Sequence, residues 1–188
     1  MRQKIRALCK AASIASLGPL LLALPLVASA AQFGAPPPEP APLPSGKAAP
    51  QFSTRTLDNH ALSLKELRGK VVVLDFWATW CVSCKQQMPA LDKLQRDYAG
   101  KGVRVIGISL DNSQIKLVQP TVQALKIGYT ISADPTRNIP IGIRYNADVL
   151  PCIYVIDRHG ILRWDHSGVF EGEDAKLRGL LDKLIAEK

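Results

Sequence analysis

The sequence predicts an α/β fold: a central sheet flanked by helices, closed by an antiparallel hairpin. Three observations carry this. Val71–Phe76 and Val103–Ser109 are continuous apolar runs rich in β-branched residues, as strands buried on both faces require. The segment after each run changes to helical spacing, which places helices on the faces of a parallel sheet. Near the end, Cys152–Ile156 and Ile161–Trp164 flank the turn Asp157-Arg158-His159-Gly160, the signature of a hairpin at a sheet edge.

The chain has 188 residues, with 47% hydrophobic and 21% charged, enough for one soluble domain and appendages. Its formal charge is +8, but Arg2, Lys4, Arg6 and Lys10 lie ahead of any acidic residue, and the remainder carries only +4. No Lys/Arg run of the kind that binds nucleic acid is present. Four cysteines (Cys9, Cys81, Cys84 and Cys152) are too few for a disulfide scaffold.

Residues 1–30 read as an export signal: a basic start, an uncharged apolar run from Ala11 to Val27, and the small-residue site Ala28-Ser29-Ala30. An uncleaved membrane anchor is the other reading, which would tether the domain. Pro19 and Pro25 interrupt a continuous helix and favour the signal. Either leader places the domain outside the cytoplasm, where thiols meet oxidising conditions. Residues 31–48 form a proline-rich linker; Gln32–Pro50 holds seven of the 14 prolines and should be extended. The domain is expected over 49–188.

Within it, Gln51–Thr56 and Ala61–Leu62 read as two short strands joined by a turn that carries His60. Ser63 can cap a short helix over Leu64–Leu67, which Gly69 ends. Val71–Phe76 is the central strand, and Asp75 is out of place in it. A buried carboxylate must be protonated or partnered, so Asp75 is a candidate proton acceptor; an idle acid at the sheet rim is the plainer reading. Cys81-Val82-Ser83-Cys84 follows. Two thiols at this spacing, between a strand and a helix, point to thiol–disulfide exchange. Cys84, Met88, Leu91, Leu94 and Tyr98 share one helical face, so Cys84 begins a buried stripe, while Cys81 sits at the helix start as the exposed thiol. Backbone N–H groups and the helix dipole there favour a thiolate. Pro89 should kink this helix.

After the Val103–Ser109 strand, Asp111-Asn112-Ser113 should start a helix running to about Lys126, with a kink at Pro120. Tyr129–Ser132 is a short strand and Ile139–Tyr145 a short helix. Leu150-Pro151 precedes the Cys152–Ile156 strand. His159 and His166 fall in a hairpin tip and a loop. Glu173–Ala186 is the last helix, with Leu177, Leu180, Leu181, Leu184 and Ile185 as its apolar stripe.

Phe76-Trp77-Ala78-Thr79-Trp80-Cys81-x-x-Cys84 with Pro89, Leu150-Pro151 before an apolar strand ending in Asp157-x-x-Gly160, and Leu64-x-x-Leu67-x-Gly69-Lys70 together resemble the thioredoxin superfamily, and within it the TlpA/ResA-type exported proteins. The resemblance covers about residues 49–188. It implies a thioredoxin-like fold, a mixed sheet flanked by helices with an N-terminal strand extension. It implies a redox-active disulfide between Cys81 and Cys84, a cis Pro151 against it, and Leu150 pairing its backbone with an extended substrate. Asp75 matches the family's buried acid. Trp77 and Trp80 either shape the surface around Cys81 or serve only as packing. The implied activity is reduction of protein disulfides, in cytochrome c or oxidase maturation, by a monomer without cofactor or metal. A membrane-embedded electron donor would recharge it.

Two positions depart from the family pattern. Val82-Ser83 replaces a proline-containing pair. Cys152 stands where Thr is frequent, either as a small core residue or as a third working thiol. A disulfide-forming oxidase would need an inserted helical domain, for which the chain has no room. A peroxiredoxin-type peroxidase would need a Thr-x-x-Cys site, and Thr79 is only two residues before Cys81. A copper chaperone would use Cys-x-x-x-Cys, one residue longer than the spacing present.

Overall fold

A computed structural model describes residues 43–111, 115–133, 140–169 and 174–187. The leader and most of the linker lie outside these residues. Among the described residues, no helix is long and apolar enough to cross a membrane.

The strands are β1 (Ser53–Thr56), β2 (Ala61–Ser63), β3 (Val71–Trp77), β4 (Val103–Ser109), β5 (Thr130–Ala133), β6 (Cys152–Ile156) and β7 (Leu162–Ser167). The helices are α1 (Val82–Tyr98), α2 (Val118–Ala124), α3 (Ile141–Arg144) and α4 (Asp174–Ala186). The described strands form one mixed sheet in the order β2-β1-β5-β4-β3-β6-β7. β3, β4 and β5 are parallel, and β6, β7, β1 and β2 join antiparallel. The expected mixed sheet, terminal hairpin and N-terminal strand extension are all present.

β3 is buried at all seven positions because both its faces are covered. Its side chains alternate between two cores. Val71, Val73 and Trp77 face a layer closed by Met88, Leu91 and Leu94 of α1 and by Leu177, Leu181 and Leu184 of α4. Val72, Leu74 and Phe76 face a second layer with Phe52, Leu64, Ile141 and Tyr145. There Phe76, Tyr145 and Tyr154 pack with ring centroids 5.2–5.9 Å apart, in the tilted and edge-to-face arrangements that aromatic quadrupoles favour. Ahead of β1, Gly46 and Ala49 donate their N–H groups to Leu162 and Gly160, tying that segment to β7.

Two local expectations need correction. Leu64–Leu67 is not a helix but successive turns, in which Glu66, Leu67 and Arg68 each bond to the carbonyl three residues earlier. Ser63 still caps it: its hydroxyl accepts from the Glu66 N–H and donates to the Glu66 carboxylate. Among the described residues, the helix foreseen from Asp111 to Lys126 is α2 alone, preceded by a 3-10 turn at Ile115–Leu117. Asp111 is engaged elsewhere, and Lys126 takes a left-handed φ of 54° that ends helical geometry. Pro120 is the third residue of α2, where a missing N–H has no intrahelical partner to lose. In the longer α1, Pro89 lies on the exposed side and the helix continues through it to Tyr98.

Candidate active site

β3 delivers its C-terminal end to the loop Ala78-Thr79-Trp80, and α1 begins directly after it. Cys81 is the N-cap of α1, and its Sγ accepts the Cys84 N–H at 3.1 Å. The Ser83 hydroxyl lies 3.5 Å from the same sulfur. Cys81 and Cys84 are joined by a disulfide. On reduction, the same amide and hydroxyl face the sulfur that can carry negative charge, and both favour its thiolate.

The two sulfurs are unequally placed, though not as expected. Cys81 was foreseen as exposed, yet it is 6% exposed, against 1% for Cys84. Both belong to the apolar layer under α1. What is exposed is the rim: Trp80 and Val82 are each 64% exposed on either side of Cys81. Trp77, by contrast, is fully buried and packs in the core.

Asp75 sits in β3 between Val73 and Trp77, on the disulfide face of the sheet. It is 1% exposed and accepts a 3.0 Å hydrogen bond from the Tyr129 hydroxyl at Oδ2. Burial pushes its carboxyl up to about 7, with the Tyr129 bond pulling the other way. The Tyr129 hydroxyl is itself held well above its ordinary value, by burial first and then by the Asp75 charge. Beside Asp75 in register is Gly107 of β4.

Leu150-Pro151 is cis, as the resemblance implied. Leu150 is half-buried and packs against both apolar layers, including the one that holds the disulfide. Cys152 is fully buried, pairs with Phe76 across β3–β6, and belongs to the opposite layer from Cys81 and Cys84. Its Sγ lies 3.4 Å from the Ser167 hydroxyl, and burial pushes its thiol up.

Sequence reasoning missed two partners. Tyr129 was placed only as a strand residue, and Asp111 as a helix start. Asp111 instead accepts the Thr79 N–H and hydroxyl at 2.8 and 2.6 Å, and the Ser109 hydroxyl at 2.7 Å, anchoring the loop ahead of Cys81 to the end of β4. No local pattern marks either contact. Among the described residues, no group of three or more His, Cys, Asp or Glu could hold a metal ion.

The AhpC/TSA family model matches residues 45–165. The thioredoxin-like protein YneN of Bacillus subtilis is 33% identical over 73% of this chain and 79% of its own length. The thiol-disulfide oxidoreductase ResA of Bacillus cereus is 36% identical over 61% of this chain, a match spanning 65% of the relative. Among solved structures, one described as a thiol:disulfide interchange protein, DsbE, of Chlorobium tepidum matches 77% of this chain and 99% of its own, with a TM-score of 0.70 and 26% identity. The thioredoxin domain of a Bacteroides vulgatus oxidoreductase shares the fold, with a TM-score of 0.65, 22% identity, and coverage of 76% of this chain and 99% of that one. The chain belongs to the AhpC/TSA family, with the thioredoxin-like fold and the paired cysteines of its thiol-disulfide oxidoreductases.

Proposed function

We propose that this protein is an extracytoplasmic reductase of protein disulfides. The observation that carries the reading is the asymmetry of the Cys81–Cys84 pair. Cys81 caps α1 and accepts the Cys84 N–H, while Cys84 lies deeper, on the sheet face that carries Asp75. In the dithiol form, the Cys81 thiolate attacks one sulfur of a partner's disulfide and displaces the other as thiolate. Cys84 then loses its proton to Asp75, directly or through a water, and attacks Cys81 Sγ. The partner leaves as a dithiol and the protein is left as the disulfide, oxidised by two electrons.

Trp80 and Val82 supply apolar surface for the segment around the target disulfide, and the backbone of Leu150 pairs with that segment as an added strand. Partners on this reading are haem-attachment cysteines of apocytochrome c or thiols of oxidase copper-site proteins, with a membrane-embedded donor restoring the dithiol. The leader, residues 1–30, is cut after Ala30, and residues 31–48 are the proline-rich linker ahead of the domain. N-terminal sequencing of the protein from its own cell should begin at Ala31; a chain still carrying Met1 would make the leader an anchor. The peroxidase alternative gains nothing from Thr79, whose hydroxyl is committed to Asp111.

The deciding experiment is Cys84→Ser in the protein's own cell. A partner should accumulate covalently on Cys81 and be released by added thiol. No trapping, or trapping that survives Cys81→Ala, overturns the reading. Tight copper binding without disulfide reduction would favour the chaperone instead.

A further inference from the structure

Asp75, Gly107 and Ile131 stand in register on three adjacent parallel strands, β3, β4 and β5. The outer two strands are about 10 Å apart. Tyr129 lies two residues before Ile131, so its ring starts on the same face of the sheet. To reach Asp75 it must cross β4, and the residue it crosses is Gly107. A Cβ there would lie 3.0 Å from the Tyr129 ring and 2.6 Å from Ile131 Cδ1. The absent side chain is therefore the channel through which the Tyr129 hydroxyl meets Asp75 Oδ2 at 3.0 Å.

We propose that Tyr129 is a positioning residue of the exchange reaction, holding the Asp75 carboxylate for the proton of Cys84 by a hydrogen bond made across Gly107. The inference rests on Asp75 being that proton acceptor. A carboxylate buried without a donor is driven to its protonated form, which can accept nothing. Tyr129 donates to the ionised form and so opposes burial, the main influence on Asp75. Other titratable groups around this pair are Cys81 at the N-cap of α1, Cys84 and Asp92 of α1, the last with a charge that acts on Tyr129, and the Cys152 thiol of β6. The Tyr129 hydroxyl is the side-chain donor to Asp75, and the step needs no other co-reactant: Cys84 S–H becomes thiolate, and Asp75 becomes the acid.

The test is the pH dependence of resolution. Reduced protein is mixed rapidly with 5,5′-dithiobis(2-nitrobenzoate). Attack by Cys81 releases the first aryl thiolate, and attack by Cys84 on Cys81 Sγ releases the second. Tyr129→Phe removes one oxygen and keeps the ring. In this variant the pH midpoint of the second release should rise by about one unit, and no such rise should appear when Asp75→Asn is already present. A midpoint unmoved by Tyr129→Phe, while Asp75→Asn slows or flattens the second phase, overturns this inference and leaves the role of Asp75 intact. An unchanged second phase in Asp75→Asn removes the Asp75 role and this inference with it. A Tyr129→Phe rise that persists in Asp75→Asn also overturns it. A second readout is free of thiols: the Asp75 side-chain carbon, titrated by NMR in the disulfide form, should shift its midpoint upward in Tyr129→Phe.

Discussion

Asp111 grips Thr79 twice, taking its N–H at 2.8 Å and its hydroxyl at 2.6 Å, and both residues are buried. Thirty-two positions separate them in the chain. The Ser109 hydroxyl donates to the same carboxylate, and the Leu110 N–H bonds to the Trp77 carbonyl. The loop that presents Cys81 is thus fastened to the end of β4 at several points. Asp111→Asn removes the charge and puts an amide N–H2 where one carboxylate oxygen accepted, so the hydroxyl facing it must turn from donor to acceptor. The expected cost is about 1–3 kcal/mol in denaturant unfolding, with faster amide exchange at Thr79 and Cys81. An unchanged midpoint and unchanged exchange would show the grip to be dispensable.

Asp75 makes stability depend on pH in a direction opposite to most carboxylates. Its carboxyl titrates near 7 when folded, against 3.8 as the reference value. Between these limits the unfolded chain has lost the proton and the folded protein keeps it, so stability falls as pH rises through that window and levels off above it. The loss is at most on the order of 4 kcal/mol. Unfolding of the disulfide form at pH 5 and pH 8 should show wild type weakening relative to Asp75→Asn at the higher pH. Parallel behaviour of the two proteins would mean that Asp75 is ionised throughout.

What the sequence made legible was what neighbours along the chain encode. β3 and β4 stood out because both their faces are buried and β-branched, and Asp75 stood out because it interrupts one of them. The cysteine pair announced itself by spacing. The partners of Asp75 and Thr79 did not, because they depend on strand order. Tyr129 reaches Asp75 only because β5 lies beside β4 and β4 beside β3, and nothing local states that order. Asp111 looked like a helix start because Asp-Asn-Ser is a capping pattern, and a tertiary contact claimed it first. The depth of Cys81 was misjudged for a related reason. Its place at a helix start suggested exposure, while the apolar layer around it decides the outcome.

The face occupied by Cys152 follows from alternation in the same way. Alternation along β6 sends Cys152 to the layer with Phe76 and Tyr154, and Ile153 to the layer with the disulfide. A thiol held there, with burial raising it, is poorly placed to attack a mixed disulfide on Cys81. Cys152→Ala should leave both phases of the aryl disulfide reaction unchanged and cost about 1 kcal/mol of stability for the small cavity. A slowed second phase would restore Cys152 as a working thiol.

Gly107→Ala separates the packing role of this position from its electrostatic one. The new Cβ would stand 2.6 Å from Ile131 Cδ1, 3.0 Å from the Tyr129 ring and 3.3 Å from Trp77 Nε1. Ile131 Cδ1 is the end of a flexible chain and can move. The Tyr129 ring is held at its hydroxyl by Asp75 and is buried, so displacing it lengthens that bond. The substitution should cost about 1–3 kcal/mol through overpacking, and the Asp75 carboxyl should titrate higher as its donor retreats. Adding Ile131→Val removes the atom in the tightest contact. Part of the stability should then return, while the Asp75 titration stays displaced, because the clash with Tyr129 is still present. If the double variant regains both, the contact that matters at Gly107 is with Ile131 alone. The ring of Tyr129 would then have room to spare as it crosses β4.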